Sequence, residues 1–157
     1  MQPRNVAGTV YGTIVVMAAV AAGSHGAETD AWGLAIVVGV TAFVLWIAHV
    51  YAHALGESLD RGRRLDTAEF TEVARRELAI PAAAVAPVAT LVVAALGVIG
   101  EQTAVWIALG FGVATLAVQG ARYAALEHLT RGQTILSVLF NVSLGLAIVA
   151  LEVLVAH

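Results

Sequence analysis

Five stretches of the chain, residues 6–23, 31–56, 80–100, 102–121 and 132–151, contain no Asp, Glu, Lys or Arg. Each has roughly the 17–25 residues that a helix needs to cross about 30 Å of hydrocarbon. A backbone in lipid must satisfy its own hydrogen bonds, and the alternating pattern of barrel strands is missing, so helices are the expected spans. The expected fold is therefore all-α. It is a polytopic bundle of five transmembrane helices in one domain over residues 1–157, with one short amphipathic helix in a cytoplasmic insert, 57–79, between helices two and three. Composition agrees, since 60% of the residues are hydrophobic and 12% charged, whereas soluble domains are about a quarter charged.

Direction follows from arginine, because Arg and Lys are retained on the cytoplasmic side of short connections. The basic residues are Arg4 before span one, Arg61, Arg63, Arg64, Arg75 and Arg76 between spans two and three, and Arg122 and Arg131 between spans four and five. All fall on one side, while the opposite connections carry Glu28, Asp30 and Glu101 but no Arg. A multi-pass protein of the cell membrane is expected, with a cytoplasmic amino terminus and an extracytoplasmic carboxyl terminus. A competing reading makes Arg4, the apolar run and the small residues 18–23 a cleaved signal peptide. Cleavage would leave four spans in the same direction. The bilayer is the implied partner. A net charge of -3, with arginines set beside apolar runs, does not point to nucleic acid. The absence of Cys excludes disulfides and thiolate metal sites.

Within the insert, Asp66-x-x-Glu69 reads as a capping box. Phe70, Val73, Ala74 and Leu78 then share the face expected to lie on the inner membrane surface. Pro81 suits the first turn of span three, and Pro87 should kink that span, a feature that often accompanies a cavity. Gly8-x-x-x-Gly12, with Gly110, Gly112, Gly120 and Gly145, permits close helix approach. Self-association, with a homodimer as the working unit, is expected from these faces.

The intramembrane polar residues are the best functional signal, because an unpaired polar group in hydrocarbon costs several kcal/mol. Span two ends in His49, His53 and Glu57, and span four in Gln119, Tyr123 and Glu127, each spaced i, i+4, i+8 and so on one face. Arg122 and His128 lie beside the second stripe. Span five begins with Thr134, Ser137 and Asn141, and span one offers Tyr11 and Thr13 at a comparable depth. Two imidazoles one turn apart can ligate one divalent transition-metal ion, with carboxylates completing its shell. The candidate metal ligands are thus His49, His53, Glu57 and Glu127. Tyr11, Tyr123, Asn141 and Arg122 are candidates for a transport path. The same groups can relay protons. The plainer alternative is that the histidines are interfacial and hydrogen-bonded, Trp46 and Tyr51 belong to an aromatic belt, and Arg122 snorkels to the surface. His25, Glu28 and Asp30 form a short outer loop with potential ligands, and Glu152 aligns with Asn141 near the outer end.

The order of parts resembles the vacuolar iron transporter family, with five membrane helices, an inward amino terminus and a helical insert after helix two. His53-Ala54-Leu55-Gly56-Glu57 is similar to that family's Met-Ala-x-Gly-Glu, and Tyr11-Gly12 occupies the place of its Asp-Gly. Glu57 matches the acidic position. His53 stands where the family has a metal-contacting Met, and Tyr11 where it has an Asp, and the insert is reduced to one helix. Trp46-Ile47-Ala48-His49-Val50-Tyr51-Ala52 also looks like small integral membrane proteins of actinobacteria, a match that names no activity. The resulting expectation is a small transporter or permease for a divalent metal ion or protons, working through a cytoplasm-facing His/Glu pocket. The alternatives are a membrane metalloenzyme, in which a metal on His49 and His53 activates water, and a structural or accessory membrane protein.

Overall fold

The computed structural model describes residues 4–24 and 30–155, and every regular element among them is helical. In chain order these are α1 (Arg4–Gly23), α2 (Ala31–Arg61), α3 (Thr67–Arg76), α4 (Ala79–Ala82), α5 (Val85–Ala95), α6 (Glu101–Leu126) and α7 (Arg131–Val155). Four of them, α1, α2, α6 and α7, are long and apolar enough to cross a membrane. A fifth span is counted if the bent pair Thr67–Ala82 and Val85–Ala95 is taken as one. Outward-turned side chains such as Ile36, Val40, Phe43 and Ile47 on α2, and Leu136, Leu139 and Phe140 on α7, are exposed. A surface this apolar suits lipid and not water.

The core lies between α1, α2, α5 and α6, where Met17, Val20, Val38, Leu91, Leu109 and Leu116 are almost fully buried. Because lipid is as apolar as leucine, dispersion and close fit hold such a core together more than exclusion from water does. Glycine supplies much of that fit. A Cβ on Gly12 would stand 2.9 Å from the Ile80 carbonyl oxygen, and one on Gly120 would stand 2.9 Å from the Val138 Cα. Gly8 also faces α4, Gly112 receives the Met17 side chain, and Gly145 meets Leu116 and Val113. These glycine faces join helices of one chain. The contribution of Val16, Met17 and Val20 to the core makes α1 an integral part of the bundle.

α2 has 31 residues, about 46 Å of helix at about 1.5 Å per residue, against about 30 Å of hydrocarbon. Asp30 caps its start, accepting from the Gly33 N–H at 2.7 Å. The Glu101 carboxylate accepts from the Ala31 N–H at 3.1 Å and ties the start of α2 to the start of α6. The helix runs on past the charge-free stretch and stops at Gly62, whose φ of 63° closes a Schellman turn through Gly62 N–H to Leu59 and Arg63 N–H to Ser58.

The chain then doubles back. The capping box at Asp66 and Glu69 forms as expected, and α3 pairs in reverse with the end of α2. Val73 is buried against Val50 and Ala54, and Trp46 Nε1–H donates to the Ala74 carbonyl at 3.1 Å. Of the four apolar residues expected on one face, Val73 and Ala74 turn toward α2, while Phe70 and Leu78 stay exposed.

The chain is broken between α4 and α5. Pro81 and Pro87 have no N–H, so the carbonyls of Glu77 and Ala83 lose their usual donors four residues on. Shorter bonds from Ile80 to Glu77, Ala83 to Ile80 and Ala84 to Pro81 tighten the chain instead. The axis bends by 47°, a turn ahead of Pro87. α5 itself has 11 residues, about 16 Å and half a bilayer, and ends at the left-handed Gly97.

Candidate functional site

Polar groups from three helices meet in a cavity of about 480 Å³ between the first half of α1, the end of α6 and the start of α7. Its lining includes Tyr11, Gln119, Tyr123, Glu127 and Asn141 among apolar residues such as Val10 and Ile14. The i, i+4, i+8 stripe on α6 is what aligns Gln119, Tyr123 and Glu127, and the close approach at Gly120 brings α7 against them. Ser137 Oγ–H donates to the Gly120 carbonyl at 3.1 Å, and Asn141 Nδ2–H donates to the Ser137 carbonyl at 3.0 Å.

Burial within this set is uneven. Tyr11, Tyr123 and Glu127 are exposed, and Asn141 is half-buried. Gln119 is 5% exposed, and its Oε1 has no hydrogen-bond partner. A buried acceptor without a donor is unfavourable by about 1–3 kcal/mol. It is the group in this cavity most in need of a ligand proton.

The α2 stripe takes a different course. The His49 ring lies against the Tyr11 ring, centroids 4.7 Å apart, so it touches the cavity lining without itself lining the cavity. His49 Nδ1 is 3.2 Å from the Leu45 carbonyl and His53 Nδ1 is 3.1 Å from the His49 carbonyl. A carbonyl only accepts, so these contacts place the proton on Nδ1 and leave Nε2 as the acceptor in each neutral ring. His53 also approaches Glu77 at 3.4 Å.

Glu57 is taken up by arginine. Its carboxylate pairs with Arg61 at 3.0 Å and Arg76 at 3.4 Å, and Arg61 reaches on to Glu69 at 2.6 Å. Glu69 is also held by Arg63 and by the Asp66 backbone N–H, which bring its carboxyl down to about 2. The same contact raises the Arg63 guanidinium. These pairs fasten the α2–α3 hairpin. Their residue types were visible beforehand, but partners separated by a turn of unknown geometry were not.

The four proposed metal ligands are therefore distributed. Glu127 lines the cavity, His49 borders it, and His53 and Glu57 pair with Glu77 and the arginines of the hairpin. Among the described residues no group of three or more His, Asp or Glu side chains is placed to hold a metal ion. Of the proposed path residues, Tyr11, Tyr123 and Asn141 come together, whereas half-buried Arg122 is not in the lining. The stripes separate because α2 turns that face toward α3 and the α1 edge, while α6 turns its own toward α1 and α7. His25, Glu28 and the Glu152 side chain lie outside the described residues, and Asp30 serves as the α2 cap.

His128, beside Glu127, adopts a left-handed φ of 51°. Its N–H bonds to Ala125 and that of Leu129 to Ala124, the Schellman pattern in which glycine is usual.

An all-helical membrane protein with a largely apolar cavity that carries a few polar side chains, at its arginine-bearing end, is the class that this fold and site define. No protein-family model matches the sequence, no curated protein matches it, and no solved structure matches the chain.

Proposed function

We propose that the chain is a small integral membrane permease of the cell membrane, with the arginine-bearing end in the cytoplasm, and that protons are the species it moves. The observation that carries this reading is the cavity between α1, α6 and α7, with Gln119 Oε1 buried and unpartnered on its wall. Charged or acid–base groups inside a membrane bundle are expensive and concentrate on ion and proton pathways. Tyr123, Glu127 and Tyr11 provide exchangeable protons within the cavity. The Tyr11–His49 ring contact continues toward a histidine pair whose rings are 6.1 Å apart.

The dispersed ligands support protons over a coordinated divalent ion. A transition metal needs several donors within about 2.0–2.3 Å, whereas Glu57 is taken up by Arg61 and Arg76 and His53 lies apart from the cavity, against Glu77. The order of helices, similar to that of the vacuolar iron transporters, is consistent with transport in the wider sense. A homodimer belongs to the proposal, with the outer face of α7 as its seam. Only Gly145 is buried among the α7 residues whose burial is described.

Reconstitution into vesicles enclosing a pH-sensitive dye tests the reading. Under an imposed potential the wild type acidifies the lumen, and Glu127→Gln and His49→Phe each remove most of that flux. Uptake of Mn or Co ions without acidification replaces the proton by a divalent cargo. No flux of either kind leaves a structural or accessory membrane protein.

A further inference from the structure

A second cavity, of about 190 Å³, lies on a different face of α1, where that helix and α6 meet the break between α4 and α5. Thr9, Thr13, Ala83, Pro87, Phe111 and Thr115 are among its lining residues. Thr13 stands near the middle of α1, is 3% exposed, and its Oγ1 has no hydrogen-bond partner. Ala83 sits at the bend, and its carbonyl faces a proline four residues on and so has no helical donor. The cavity thus combines two oxygen acceptors whose needs the helices leave unmet with two further threonines, at the level of the middle of α1.

We infer that this cavity is a binding site for a partly hydrated monovalent alkali cation. Irregular backbone at membrane depth is tolerated where it lines such a site, and carbonyl and hydroxyl oxygens can replace part of an ion's hydration shell. No carboxylate or imidazole is among the described residues that line the cavity. A divalent ion, which holds its water tightly and relies on carboxylates, would find too little charge there. An anion would find no arginine, and Pro87 removes one of the backbone N–H groups that could greet it. At about 30 Å³ per water, the volume admits the ion with several waters.

The inference does not depend on what passes through the larger cavity. The test is binding of radiolabelled Na ion to the purified full chain in lipid nanodiscs. It is paired with thermal unfolding in sodium, potassium and choline chloride at equal ionic strength. An alkali cation should bind and raise the midpoint over choline by about 2–4 °C, the scale of a modest ligand effect in a chain of this size. Thr13→Val should abolish both effects, and Thr13→Ser should retain them. The proposal is overturned if wild type shows no alkali-dependent shift and no bound label, or if Thr13→Val keeps both. It is also overturned if the shift follows the anion when chloride is exchanged for sulfate.

Discussion

The Tyr11 ring packs on the His49 ring at 4.7 Å between centroids, tilted by 42°. This is where the polar stripe of α2 meets the cavity assembled by α1, α6 and α7. It is a ring contact between adjacent helices, and it leaves the His49 Nε2 as the acceptor while Nδ1 is held by Leu45.

Helix contact at glycine should separate two substitutions of identical chemistry. Gly12→Ala places a methyl against the Ile80 backbone and is expected to destabilise by about 1–3 kcal/mol. A Cβ on Gly56 would meet nothing within 4 Å. Because Gly56 lies inside α2, Gly56→Ala should stabilise by about 0.5–1 kcal/mol. Denaturation of both variants in matched detergent reads the sign of each.

His128→Gly relieves a left-handed conformation that L-residues adopt at a cost of about 1–2 kcal/mol, partly offset by the greater freedom of unfolded glycine. A net gain of about 0.5–1 kcal/mol is expected, seen as a higher melting temperature. If His128 serves the adjoining cavity, the same variant loses proton flux while gaining stability.

Gln119→Leu keeps roughly the same volume and removes the unpartnered Oε1. Stability should be unchanged or should rise by about 1 kcal/mol, because no satisfied bond is lost. Proton flux should fall. A variant that is clearly destabilised without loss of flux contradicts the role given to this side chain.

The α2–α3 hairpin should loosen in acid. The folded-state carboxyl of Glu69 is lowered from 4.5 to about 2, so its contribution is fully present above about 4.5 and disappears as pH falls toward 2. The group is half-buried but lies at the surface among exposed arginines, so solvent screening keeps the effect small. The chain has no Cys, so spin labels on cysteines at Leu59 and Ala68 report the hairpin alone. The distribution of their separation should broaden below pH 4.5 in wild type, and Glu69→Gln should remove that pH dependence.

Local chemistry made much of this protein legible in the sequence. Runs without charge specify lipid-crossing helices because desolvating a charge is prohibitive, and Asp66-x-x-Glu69 specifies a helix start because its two side chains answer unpaired N–H groups within one turn. Pro87 announced a bend, and the 47° break lies a turn ahead of it. The Gln119, Tyr123 and Glu127 stripe was visible because spacing alone places them on one face. Tertiary structure decided which way each face turns. Rotation of a helix about its axis is set by packing, here by Gly12 on Ile80, Gly120 on Val138 and Trp46 on Ala74. Those contacts join residues far apart in the chain, so the separation of His53 and Glu57 from the cavity, and the meeting of Tyr11 with His49, exist only in the folded bundle.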